Sequence, residues 1–181
     1  MKPFAVILFI VGALAFSASA QTTCTIDARY DADHREFDGT IELNIVPTTP
    51  TVYLSLLANL DREPNPHLSH RSADARYPFG FEPSETIVTA VELVEGGEAS
   101  AVPFRTLALP PSWQTYSLDD TVLAIDLPES AANGSGPVTL RLAFVTTVPR
   151  NAVGDQGITA EVLTWRFGWF PTLFPAQEEL V

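Results

Sequence analysis

Phe37-Asp38-Gly39-Thr40-Ile41-Glu42-Leu43-Asn44-Ile45 alternates apolar and polar positions almost without exception. Successive side chains of a strand point to opposite faces, so this period of two describes a strand with one face buried and one wet. Pro47 and Pro50 end it, because proline brings no N–H to a ladder. The same rhythm extends in both directions. Ile26, Ala28 and Tyr30 alternate with polar residues before the polar turn Asp31 to Glu36. Val52 to Leu57 is a short continuous apolar run, as expected of an inner strand. Ile87 to Val94 reads as a further strand, and Glu95-Gly96-Gly97-Glu98 as its hairpin turn, with Ala101 to Leu107 expected to return antiparallel. Trp113 to Leu118 and Val122 to Leu127 flank the turn residues Asp119-Asp120. Asn133-Gly134-Ser135-Gly136-Pro137 is another turn; its glycosylation sequon is read as turn chemistry. Val138, Leu140, Leu142 and Phe144 then alternate up to Pro149. Short strands separated by turn signals predict an all-β chain, an antiparallel β-sandwich, and no stretch shows a helical stripe.

Two regions break this rhythm. Asp61 to Glu85 is rich in proline, arginine and histidine and has no periodicity, and a loop of that length is often functional or disordered. Residues 151–181 hold Trp165, Phe167, Trp169, Phe170 and Phe174, an aromatic load that is rarely left in water. These five are candidate domain-interface residues. Either the segment packs back on the sandwich or it meets a partner absent from this chain; its spacing does not fit one strand face, so some of the rings are expected to point away from the sandwich.

The first residues predict export. Met1-Lys2 is followed by an apolar run from Ala5 to Phe16, of signal-peptide length and too short for the roughly 20 residues of a membrane span. Ala18-x-Ala20 supplies a small-residue cleavage pattern. The organisation read from the chain is therefore a signal peptide over residues 1–20, a β-sandwich domain over 21–150 and an aromatic-rich tail over 151–181. The expected location is periplasmic or extracellular, with no membrane contact after cleavage.

Charge narrows the partners. The chain has 22 acidic and 10 basic residues, a formal net charge of -12. Its only lysine is Lys2. Such a surface has no non-specific attraction for nucleic acid or an anionic membrane. Either solubility or adaptation to high salt accounts for it, since salt screens carboxylate repulsion. Cys24 is the only cysteine, which excludes an internal disulfide, and it lacks the preceding lipobox pattern.

Candidate chemistry is sparse. His67 and His70 have a spacing that could share a metal, but Pro64 and Pro66 argue against a helix there, and solvated loop histidines are expected. His34 reads as a turn residue. There is no Gly-x-Ser-x-Gly elbow, no His-Glu-x-x-His helix and no glycine-rich phosphate cradle. Asp119-Asp120 and Glu178-Glu179 read as a turn and a solvated tail. No catalytic or metal-ligating residue is assigned.

The order of the β motifs resembles the N-terminal domain of the aminopeptidase N-like zinc metallopeptidases, the gluzincins. The motifs are Phe37-Asp38-Gly39-Thr40-Ile41-Glu42-Leu43, Val52 to Leu57, Leu123-Ala124-Ile125-Asp126-Leu127-Pro128, Val138 to Phe144, Thr146-Thr147-Val148-Pro149-Arg150, and Gly168-Trp169-Phe170-Pro171. The resemblance covers most of Thr25 to Pro175. It implies a saddle-like β-sandwich that packs on a thermolysin-like catalytic domain and shapes its substrate cleft. It further implies that the aromatic tail leads towards a catalytic domain missing from this chain, where the zinc of a complete family member would sit. The partner expected from it is that domain or a separate chain. The alternative expectation is a free-standing secreted β-sandwich binding module, with the loop Asp61 to Glu85 as its binding edge and Tyr77, Phe79 and Phe81 as stacking residues.

Overall fold

The computed structural model describes residues 22–64, 69–107, 120–132, 136–150, 156–159, 162–165 and 168–174. The expected leader over residues 1–20, the strand read at Trp113 to Leu118 and the turn at Asn133 to Ser135 lie outside the described residues, as do Phe167, Glu178 and Glu179.

The fold is all-β, built from two antiparallel sheets. Its strands are β1 (Thr23–Asp31), β2 (Glu36–Ile45), β3 (Thr51–Ser55), β4 (Glu85–Glu95), β5 (Glu98–Ala101), β6 (Phe104–Leu107), β7 (Val122–Asp126), β8 (Val138–Thr147), β9 (Gln156–Thr159), β10 (Val162–Trp165) and β11 (Thr172–Leu173). A five-stranded sheet runs β1-β2-β8-β4-β5 and a four-stranded sheet β11-β3-β7-β6, while β9 and β10 pair with each other.

The period-two pattern sets the faces. Ile41, Leu43 and Ile45 of β2 pair in register with Leu142, Leu140 and Val138 of β8, and all six are buried. Val91 and Leu93 of β4 extend that face. Val52 and Leu54 of β3 and Leu123 and Ile125 of β7 meet it from the second sheet, so one core joins the two layers. The opposite face of the four-stranded sheet is also apolar, because Tyr53, Val122 and Ala124 form a smaller buried cluster with Leu107 and Phe174 packed on it. Burial on both faces explains why β3 and β7 read as continuous apolar runs rather than alternations.

The outer face of the five-stranded sheet is wet. Arg141 of β8 stands there between two carboxylates, 3.4 Å from Glu42 of β2 and 3.9 Å from Glu92 of β4. One bulge interrupts β4 between Val88 and Ala90, where Thr89 is the extra residue and its hydroxyl donates to the Ala143 carbonyl at 3.3 Å.

The segment after the Gly96-Gly97 turn departs from expectation. Both glycines have positive φ, 59° and 92°, as a tight hairpin of this twist requires. The antiparallel return, however, is only Glu98–Ala101. The chain then crosses between layers at Val102-Pro103, and Phe104–Leu107 pairs with β7 in the other sheet. Val102 is buried and its N–H donates to the Val91 carbonyl at 3.0 Å, whereas Pro103 has no N–H to continue that ladder.

Candidate functional site

The long loop Asp61 to Glu85 holds more structure than its sequence suggests. A 3-10 helix covers Leu57–Asp61, and a seven-residue helix α1 covers His70–Arg76. Ser69 caps α1, its hydroxyl accepting from the Ser72 N–H at 3.2 Å. The described residues of α1 are largely exposed, so the helix has no apolar stripe for a periodicity reading to detect. A second short helix, α2, covers Glu129–Ala132.

Both ends of the loop are tied to the sandwich. The Ser84 N–H donates to the Asp61 carbonyl at 3.0 Å, and the Ser84 hydroxyl donates to the Ala58 carbonyl at 2.8 Å. Asn59 is buried and acts as a staple. Its Oδ1 accepts from the Thr86 N–H at 2.6 Å, while Nδ2 donates to the carbonyls of Thr86 at 3.2 Å and Asp120 at 2.7 Å. The Thr86 hydroxyl shares a hydrogen bond with that of Thr146 at 2.7 Å. Asn59→Ala leaves the buried Thr86 N–H without its acceptor, and a loss of about 2–3 kcal/mol is expected in chemical denaturation.

Charged groups brace the same end. Arg62 lies 2.7 Å from Asp120 and 3.6 Å from Glu85, and Thr106 donates to Asp120 as well. The Thr106 hydroxyl, then the Arg62 guanidinium, hold the Asp120 carboxyl below the usual carboxylate range. A lowered folded pKa means that this carboxylate stabilises the fold above its unfolded value near about 4, and the contribution is lost as pH falls through the lower folded value. Thermal melts from neutral pH into acid are therefore expected to fall less steeply for Asp120→Asn than for the parent. Glu82 pairs with Arg35 at 3.2 Å and accepts from the Arg150 N–H, which fixes the loop against the β1–β2 turn.

Between these anchors the chain makes a turn over Tyr77-Pro78-Phe79-Gly80-Phe81. The Gly80 N–H donates to the Tyr77 carbonyl at 3.0 Å, and Gly80 has a φ of 92°. The rings of Tyr77 and Phe81 meet edge to face with centroids 5.1 Å apart. Phe79, at the tip, is 73% exposed. Phe79→Ser is expected to change stability by less than about 0.5 kcal/mol, measured as the denaturation midpoint, because the ring gives the core little.

The aromatic segment lies elsewhere. Trp169 and Phe170 pack against the main core, with ring centroids 4.6 Å apart for Trp169 and Phe37, 6.2 Å for Trp169 and Phe144, and 5.0 Å for Trp169 and Phe170. The Phe174 N–H donates to the Tyr53 carbonyl at 2.9 Å, where β11 adds an edge to the four-stranded sheet. Trp165 sits on β10, and nothing of its side chain is described; Phe167 lies outside the described residues.

The histidines do not form a described cluster. His70 begins α1, exposed, and His67 lies outside the described residues. Among the described residues, no group of three or more His, Cys, Asp or Glu side chains is placed to hold a metal ion. His34 is in the β1–β2 turn, where its Nδ1 is 2.9 Å from Asp31 Oδ2, a bond that lowers the Asp31 pKa and raises that of His34. Cys24 lies exposed on β1, and partial desolvation pushes its thiol up. Among the described residues, no helix is long and apolar enough to cross a membrane.

Sequence reasoning marked Tyr77, Phe79 and Phe81 but missed Asn59, Asp120 and Arg62, the groups that tether the loop. An asparagine inside the apolar stretch Leu56 to Leu60 was the available signal, since a polar residue there needs partners. No protein-family model matches the chain, and no curated protein matches it.

Proposed function

We propose that this chain is a non-catalytic β-sandwich module of an exported protein, acting by contact through its loop end. The observation that carries the reading is Phe79, an exposed ring on a turn flanked by the edge-to-face pair Tyr77 and Phe81 and held by loop ends bonded to the core. Binding residues are commonly loop residues on a rigid scaffold. The buried polar side chains at the base of the loop bond to the scaffold: Asn59, Ser84, Thr86 and Thr146 are spent on holding strands and loop together. The partner of such a surface is another protein domain or chain, not nucleic acid, given the acidic surface.

The expected result in solution is that the purified chain does not hydrolyse aminoacyl substrates, with or without added zinc. Catalytic zinc takes three protein ligands and a positioned base. Turnover that needs zinc and disappears in His70→Ala would overturn the non-catalytic reading.

A second reading follows the family resemblance: an N-terminal domain of an exported zinc aminopeptidase, packed on a catalytic domain that carries the zinc. Four of the motifs behind the resemblance occupy paired strands, β2 with β8 and β3 with β7, and form the centre of the sandwich. The coding sequence beyond Val181 separates the two readings. A continuing frame that encodes His-Glu-x-x-His supports the second, and its absence leaves the contact module.

A further inference from the structure

The five-stranded sheet ends on one side at β1, a nine-residue strand whose described neighbour is β2 alone. Its register with β2 runs unbroken from Thr23↔Asn44 to Asp31↔Glu36. The opposite edge, β5, is only four residues long. Open edges are usually blunted by proline, by charged side chains, lysine above all, by bulges or by short length, because a row of free N–H and C=O groups is a template for another strand. β1 has no proline, lysine or bulge. What it has is charge of alternating sign on its outer face, Asp27, Arg29 and Asp31, with Ile26 and Tyr30 half-buried on the inner face.

That pattern is complementary to itself. We infer that β1 pairs antiparallel with β1 of a second copy about a two-fold axis at Ala28, joining two five-stranded sheets edge to edge. Residues opposite each other across an antiparallel pair share a face, so only pairings of equal parity are admissible. With the axis at Ala28, Asp27 faces Arg29 of the second copy and Arg29 faces its Asp27. Ile26 then faces Tyr30 and Thr25 faces Asp31, so the inner apolar faces continue across the junction. Moving the axis to Asp27 sets that carboxylate against itself. Moving it to Arg29 sets two guanidiniums together and Asp27 against Asp31. Opposite charges directly across a strand pair stabilise it and like charges oppose it, so charge rejects both neighbouring axes. An axis at Tyr30 also sets Arg29 against Asp31 but pairs only the end of β1, whereas the Ala28 axis pairs Thr25 to Asp31, so strand length and charge together select the register. An isologous contact of this kind closes as a dimer and leaves no further open β1 edge.

Sedimentation of the purified chain tests this with charge reversals at exposed positions. The parent is expected to be a dimer. Arg29→Asp and Asp27→Arg alone are each expected to raise the dissociation constant at least about tenfold, since each sets like charges across both arms. Mixing the two single variants is expected to restore a heterodimer, and the doubly reversed D27R/R29D chain is expected to dimerise by itself. The unfolding midpoints of the variants, at a concentration where all are monomeric, should match the parent. A monomeric parent at about 100 μM, well above the micromolar constants of weak specific pairs, would overturn the inference. So would single variants that dimerise as tightly as the parent, which would place any self-association on another surface.

Discussion

Phe144→Ala is expected to lower the unfolding free energy by about 3–5 kcal/mol, at a shifted denaturant midpoint. Phe144 lies at 0% exposure on β8, the strand flanked by β2 and β4 in the five-stranded sheet. Its ring meets Trp169 from the aromatic segment, so truncation opens a cavity and removes the seat of that indole together. Folded domains hold only about 5–15 kcal/mol in total. The variant is therefore expected to be partly unfolded at modest temperature. A loss below about 1.5 kcal/mol would mean that the two sheets do not close over this position as described.

Gly168→Val is expected to cost about 3 kcal/mol or more, from two sources. Gly168 has a φ of 79°, a region that a β-branched residue enters only under strain. A Cβ there would also lie 2.6 Å from the Leu57 Cβ, so the 3-10 helix or the aromatic segment must shift. The effect is expected to spread. Leu57 begins the 3-10 helix that carries Asn59, and Trp169 follows Gly168 onto the core. Chemical denaturation of Gly168→Val beside Trp169→Ala checks the link. Similar midpoints for the two indicate that the valine acts by lifting the indole, whereas a parent-like midpoint for Gly168→Val would detach the segment from the sandwich.

How much of this was legible beforehand follows from which faces are wet. β2 and β8 each have one buried and one exposed face, so their alternation reads directly as strand. β3 and β7 are buried on both faces and appear as apolar runs, which still reads as inner strand. The switch of Phe104–Leu107 to the other sheet was not legible, because it turns on where Val102 finds its carbonyl partner, a tertiary fact. α1 was missed because an exposed seven-residue helix shows only a cap, Ser69, and no stripe. The aromatic spacing in the tail suggested that some of its rings face away from the sandwich. Three of them, Trp169, Phe170 and Phe174, rest on its two clusters, because Gly168 lets the backbone turn in against Leu57 and Pro171 is buried beyond it, while the Trp165 side chain and Phe167 lie outside what is described. Spacing along a strand says nothing of a chain that bends between rings. The candidate site was half legible: the aromatics of the loop stood out, and the long-range bonds from Asn59 and Arg62 that fix them did not.

The most direct measurement is photo-crosslinking in the native host from two positions, a photoreactive phenylalanine analogue replacing Phe79 in one variant and Glu42 in the other. Glu42 stands on the outer face of the five-stranded sheet, away from the loop anchors. If the loop end is the contact surface, position 79 yields an adduct with one defined partner and position 42 does not. The same partner co-purifies with the parent and is lost with Phe79→Ser, whose denaturation midpoint is expected to match the parent's. An adduct yield from position 79 no greater than that from position 42, or a partner retained undiminished by Phe79→Ser, would contradict a function built on that turn.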